Sequence, residues 1–93
     1  MVDVYKALAD PTRRAILDAL VETDGQTLFS LCTKVTARQE ADLSRQAISQ
    51  HLAILEEAGL LRTEKRGRFK LHFVDTTPLT EIGRRWPVTR EET

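Results

Sequence analysis

Between Ser44 and Gln50, four hydrogen-bonding side chains, Arg45, Gln46, Ser49 and Gln50, recur at spacings of one and four residues. On a helix, residues four apart are neighbours, so these groups would share one polar surface. That surface has the chemistry of base-edge recognition, since arginine bonds guanine two-pronged and glutamine bonds adenine in the same manner. An ordinary solvated helix face has the same composition and competes as a reading. A second set follows closely: Arg62, Lys65, Arg66, Arg68 and Lys70, opposed within their segment only by Glu64. Cations clustered beside a hydrogen-bonding helix suit a polyanion, because each phosphate they neutralise releases counterions. For any single lysine, a charge that keeps an edge strand from aggregating is the alternative.

These residues need rigid elements to hold them. Ser44 is placed to cap a helix, its hydroxyl accepting from a free N–H of the first turn, with Leu43 and Ile48 at the two hydrophobic-staple positions. Gly59 can take the left-handed conformation that ends a helix, which would fold Leu60 back on Leu55. Between these limits Ile48, Leu52, Leu55 and Ala58 form an apolar stripe, so the spacing predicts a helix over about 44–58 with one buried face. His51 falls between Ile48 and Leu52 and reads as a partly buried, hydrogen-bonded histidine. Downstream, alternation predicts strands over Leu61–Lys65 and Arg68–Val74 with Arg66-Gly67 as the turn. Phe69, Leu71 and Phe73 then lie on one side, and Arg68, Lys70 and His72 on the other. A polar helix running into a basic hairpin is the pattern of a winged helix-turn-helix, a mainly α fold with a small β-hairpin (α+β).

The rest of the chain supplies a scaffold for that pair. With 93 residues there is room for one domain, 1–93, whose small core gains from burying more surface in a dimer. Fourteen basic residues balance fourteen acidic ones, so attraction for a polyanion must come from local clustering. Val2, Val4, Tyr5 and Leu8 suggest a short first helix at about 2–9. Asp10 as cap and Pro11 in the first helical position open a second, with Ile16, Leu17 and Leu20 on its apolar side and an end near Glu22. Arg13 and Arg14 should face outward to acidic neighbours, with phosphate as the less favoured partner. A third helix should open at Thr27 and present Leu28, Leu31, Cys32 and Val35 on one side. Residues 38–42 either prolong it or form a longer turn. Thr77-Pro78 then reads as a cap and first-position proline for a last helix, about 78–86, with Leu79, Ile82 and Trp86 at helical spacing and Pro87 as its stop.

Several function classes find no support. No phosphate-cradling glycine loop, nucleophile elbow or histidine pair on one helix is present, so an enzyme is not expected. Zinc wants about four close ligands, whereas the chain has one cysteine and two histidines without metal-site spacing. Cys32 reads as a small buried hydrophobe, and neither a metal nor another cofactor is expected. There is no apolar run long enough for a membrane span and no signal-peptide pattern, which points to the cytoplasm.

The stretch Tyr5-Lys6-Ala7-Leu8-Ala9-Asp10-Pro11-Thr12-Arg13-Arg14-Ala15-Ile16-Leu17, together with the stretch from Ser44 through the basic hairpin to Val74, resembles the ArsR-type winged-helix transcriptional regulators, in the group without an obvious metal site. The resemblance implies a homodimeric repressor that sets one recognition helix per subunit into successive major grooves of a palindromic double-stranded DNA operator. It puts Arg45, Gln46, Ser49 and Gln50 at base-reading or nearby phosphate positions, alongside the capping Ser44, and the Arg66–Arg68 tip on the wing. It further implies that Leu79, Ile82 and Trp86 pair with Val2, Tyr5 and Leu8 of a twofold-related subunit; docking on the chain's own core is the alternative. The turn before Leu43 departs from the tight turn usual in the wider family. A protein-interaction module that uses the same helix and wing is the second functional reading, disfavoured by a surface that is polar and basic rather than apolar. The sequence names no operator, regulated gene or effector.

Overall fold

The computed structural model describes residues 3–39 and 42–88. They form α1 (Val4–Leu8), α2 (Pro11–Glu22), α3 (Leu28–Gln39), α4 (Arg45–Glu57), β1 (Leu61–Arg66), β2 (Phe69–Val74) and α5 (Thr77–Arg85). The caps follow the local chemistry. Asp3 accepts from the Tyr5 N–H at 2.8 Å to open α1, and Asp10 accepts from the Arg13 N–H at 3.0 Å to open α2, with Pro11 where its missing donor costs nothing. The centre of the protein is one apolar cluster. Ile16 and Leu20 of α2, Leu31 and Val35 of α3, and Ile48 and Leu55 of α4 are fully buried, and Leu60 and Leu61 close the side towards the hairpin.

α4 is bounded at both ends as its sequence predicts. The Ser44 hydroxyl accepts from the Ala47 N–H at 3.0 Å, and Leu43 packs at the edge of the core. At the other end Gly59 has φ +81°, the Leu60 N–H donates to the Leu55 carbonyl and the Gly59 N–H to that of Glu56, both at 3.0 Å. That pair of bonds is a Schellman motif, which satisfies carbonyls the helix itself leaves free. α3 runs on through Arg38 and Gln39, so this part of the uncertain connection is helical. Two side-chain bonds tie its last turn to α2: Arg38 pairs with Glu22, and the Thr12 hydroxyl donates to Gln39 Oε1 at 2.8 Å. Residues 40 and 41 of that connection lie outside the described residues.

The hairpin differs from its predicted form at the turn. Arg66 pairs with Phe69, so the turn is Gly67-Arg68, one residue later than expected, and Arg68 sits in the turn instead of on the strand. The alternation of β2 is as predicted, but the side that carries His72 faces inward at its base. His72 is only 5 % exposed, while Phe69 on the opposite side is 57 % exposed. The reason is a third segment laid along β2. The Gln26 carbonyl accepts from the His72 backbone N–H at 2.8 Å and lies 2.9 Å from its Nδ1, and the Val74 N–H donates to Asp24 at 2.9 Å.

Gln26 itself is a buried hub. Its amide donates to the Ala19 carbonyl at 2.9 Å and to that of Thr23, and its Oε1 accepts from the Ser30 hydroxyl at 2.7 Å. Beside it, Gly25 has φ +72°, and a Cβ there would stand 3.0 Å from the Phe73 ring. Gly25→Ala should therefore cost about 1–3 kcal/mol, the strain of a left-handed non-glycine residue compounded by the close approach. A thermal melt coincident with the parent's would contradict this.

α5 begins one residue earlier than predicted. The Asp75 carboxylate, not the Thr77 hydroxyl, bonds the free end by accepting from the Thr77 N–H at 2.9 Å. Hydrogen bonds from Thr77 hold the Asp75 carboxyl below its ordinary pKa. No residue of α5 is buried: Leu79 packs at the edge of the core, Ile82 is half-buried and Trp86 is exposed.

Candidate nucleic-acid interface

Because Ile48, Leu52 and Leu55 turn one side of α4 into the core, Arg45, Gln46, Ser49 and Gln50 project from the other, all exposed. Helical geometry arranges them as two short ridges, Arg45 beside Ser49 and Gln46 beside Gln50. Ala53 lies past them, leaving a smooth continuation with no bulky side chain. Ser44 stands apart, with its hydroxyl engaged in the cap.

The hairpin divides its cations between two faces, as strand alternation requires. Leu61, Thr63 and Lys65 share a face with Lys70, His72 and Val74, and Thr63 turns that face towards α4 through a 3.3 Å bond to Glu56. Lys65 and Lys70 are exposed on this side, and Arg68 stands at the turn. Arg62 and Arg66 are on the far face. They donate to the two oxygens of Glu64 at 3.1 and 3.3 Å, and their guanidinium carbons lie 4.6 and 5.9 Å from the centre of the Phe73 ring. Those two arginine bonds hold the Glu64 carboxyl below its ordinary pKa, so it stays an anion beside them. The structure thus brings Lys65, Arg68 and Lys70 together with the α4 surface and separates Arg62 and Arg66 from it. Between helix and hairpin runs a groove of about 310 Å³, floored by Leu28, Leu52 and His72 and edged by Ser49, Arg68 and Lys70.

Two residues near this surface were given no such place by sequence reasoning. Arg13 was expected to face outward to an acidic partner, and instead it lies across the end of α1. Its Nε donates to the Ala7 carbonyl at 2.8 Å, Nη2 to the Lys6 carbonyl at 3.1 Å, and Nη1 approaches His51 Nδ1 at 3.1 Å. Arg14 likewise donates to the Leu8 carbonyl, at 2.6 Å. The last carbonyls of a helix have no partners of their own and attract cations, which is why these arginines turn to backbone. Pairing over 38 residues left no local signal; only the half-buried position of His51 on an apolar stripe hinted at a partner.

α1 meets the end of α5 through one ring contact. The Tyr5 and Trp86 rings meet edge to face, 6.3 Å between centres and 72° between planes. Both remain open to solvent, 43 % and 62 % exposed. Leu8 and Leu79 pack at the edge of the core, whereas Val2 lies outside the described residues.

Among the described residues no group of three or more His, Cys, Asp or Glu is arranged to hold a metal, and no helix is long and apolar enough to cross a membrane. Cys32 is half-buried, and burial raises its thiol pKa.

Comparison with known proteins agrees with this architecture. Residues 8–64 match the model of a helix-turn-helix domain family. The chain is 36 % identical over 83 residues to the HTH-type transcriptional regulator YuzN of Bacillus subtilis, covering 89 % of this chain and 90 % of that one. It is 35 % identical over 81 residues to the transcriptional repressor SdpR of the same organism, with 87 % and 82 % covered. Among solved structures, an ArsR-like transcriptional regulator from Rhodococcus sp. RHA1 superposes with a TM-score of 0.75 at 35 % identity, over 88 % of this chain and 69 % of that one. Arrangement, motifs and likeness along most of the chain converge: it belongs to the ArsR family of helix-turn-helix transcriptional regulators.

Proposed function

We propose that this regulator is a homodimeric, cytoplasmic repressor that reads a palindromic operator with α4 in the major groove and holds the flanking phosphates with its wing. The observation that carries the reading is the exposed Arg45–Gln46–Ser49–Gln50 surface standing beside the helix-facing wing cations Lys65, Arg68 and Lys70. Helix and wing can straddle one sugar-phosphate strand, with the groove between them open to it. Residues 1–93 act as one DNA-binding unit, and about 2–9 and 78–86 supply the dimer contact through the Tyr5 and Trp86 face. Two reading helices related by a twofold axis require half-sites about 34–36 Å apart.

Fluorescence anisotropy on operator-length duplexes at several salt concentrations tests the division of labour. Gln46→Ala should lose about 1–3 kcal/mol of discrimination at particular bases and leave the scrambled duplex unaffected. Arg68→Ala should weaken every sequence alike and make the logarithmic salt slope shallower by about one unit. Arg62→Ala should move that slope clearly less, because its charge already faces Glu64. A Gln46→Ala protein that keeps the parent's full base preference would overturn the assignment of that side chain.

A further inference from the structure

α1 has five residues and buries only Ala7, yet it carries Tyr5, one half of the aromatic face assigned to the dimer contact. So short a helix cannot hold its own direction. Besides the packing of Val4, Ala7 and Leu8 on the core and the Arg14 bond to Leu8, it is held by the Arg13 side chain, which bonds the Lys6 and Ala7 carbonyls of α1 with two of its nitrogens. With a third nitrogen, the same planar group reaches His51 Nδ1 at 3.1 Å on α4, next in sequence to Gln50 of the reading surface. One guanidinium therefore joins three elements: its own α2, the helix at the dimer face and the recognition helix.

We propose that Arg13 is a positioning residue for DNA reading, acting through His51 to fix α4 relative to α1 and so the half-site spacing that the dimer accepts. The inference rests on the homodimeric reading above. One base pair of spacing moves a half-site by about 3.4 Å along the duplex and also turns it about the axis. A dimer tolerates such a change only if its reading helices can swing. The Arg13–His51 bond opposes that swing at the point where the lever to the dimer face begins.

The bond sets a condition on the imidazole. Arginine only donates, so Nδ1 must be the bare, accepting nitrogen, and the ring must be neutral. The acid facing that nitrogen is Asp10 of α2, with Oδ2 at 3.9 Å. From α1 only backbone carbonyls bond this guanidinium, and the α4 residues three and four away, Ala47, Ile48, Ile54 and Leu55, carry no charge.

The experiment uses full-length parent, Arg13→Lys, His51→Ala and His51→Gln proteins, with duplexes whose two half-sites are spaced at single-base steps around the best spacing. Sedimentation first establishes that each is a dimer, since a monomeric parent would defeat the homodimer reading instead of this inference. The parent should favour one spacing by at least about tenfold over its neighbours. Arg13→Lys and His51→Ala should reduce that preference several-fold while binding an isolated half-site as the parent does. His51→Gln, which keeps an uncharged acceptor, should retain part of it. Folded, dimeric His51→Ala protein with the parent's spacing preference, or His51→Gln protein no closer to the parent than His51→Ala, would overturn the proposal. Should Arg13→Lys fail to fold, the two His51 variants decide it.

Discussion

Trp86→Glu should convert the proposed homodimer to monomers and lower operator affinity by about 10²–10⁴-fold, the loss expected when a second half-site no longer binds as part of the same molecule. The side chain is 62 % exposed and contributes little to its own core, so the monomer should keep the parent's helical circular dichroism. Its ring instead continues the Tyr5 edge into one aromatic patch across α1 and α5. Placing a carboxylate in each copy of a twofold contact sets two unpaired charges against each other in a drying interface. Sedimentation equilibrium together with titration of the palindrome checks both halves. A variant that still sediments as a dimer would show that the contact lies on another face.

Gln26→Leu should be the most destabilising single change near the hairpin, at about 2–4 kcal/mol. The substitution fits the volume and removes every polar bond the side chain makes. The Ala19 and Thr23 carbonyls lose a donor, and the Ser30 hydroxyl loses its acceptor. For a domain of this length the melting temperature should fall by about 10–20 °C, compared at equal protein concentration because any self-association adds its own stabilisation. A loss below about 1 kcal/mol would mean that water replaces the hub. The wing should loosen with it, since the backbone of Gln26 is the partner of His72.

The residues that sequence placed well are those governed by neighbours a few positions away. Asp10 with Pro11, Ser44 with Ala47, and Gly59 with Leu60 each satisfy helix-end groups within one turn, and all three are where local chemistry puts them. The hairpin's alternation was legible for the same reason. Which side faced inward was not, because that is decided by Asp24 and Gln26, about fifty residues upstream. The turn shifted by one residue since Arg66-Gly67 and Gly67-Arg68 both supply a glycine, and only the cross-strand register separates them. Arg14 faces outward as expected, but the partners of Arg13 and Arg14 were misjudged because they are backbone carbonyls, which have no residue signature.

For the candidate site, residue types were legible and grouping was not. Sequence pooled five wing cations; the strand register separates Lys65 and Lys70, with Arg68 at the turn, from Arg62 and Arg66 around Glu64. That division leaves Lys65 and Lys70 on one side of the wing and, on the other, two arginines that share the single carboxylate of Glu64.

Selection from a random duplex pool with purified protein, followed by titration of the enriched sequence against a scrambled duplex at fixed salt, tests the central claim most directly. The account predicts an enriched palindrome with half-sites about one turn apart, bound at least about 10³-fold more tightly than the scrambled control. Weak, steeply salt-dependent binding with no enriched sequence would contradict it.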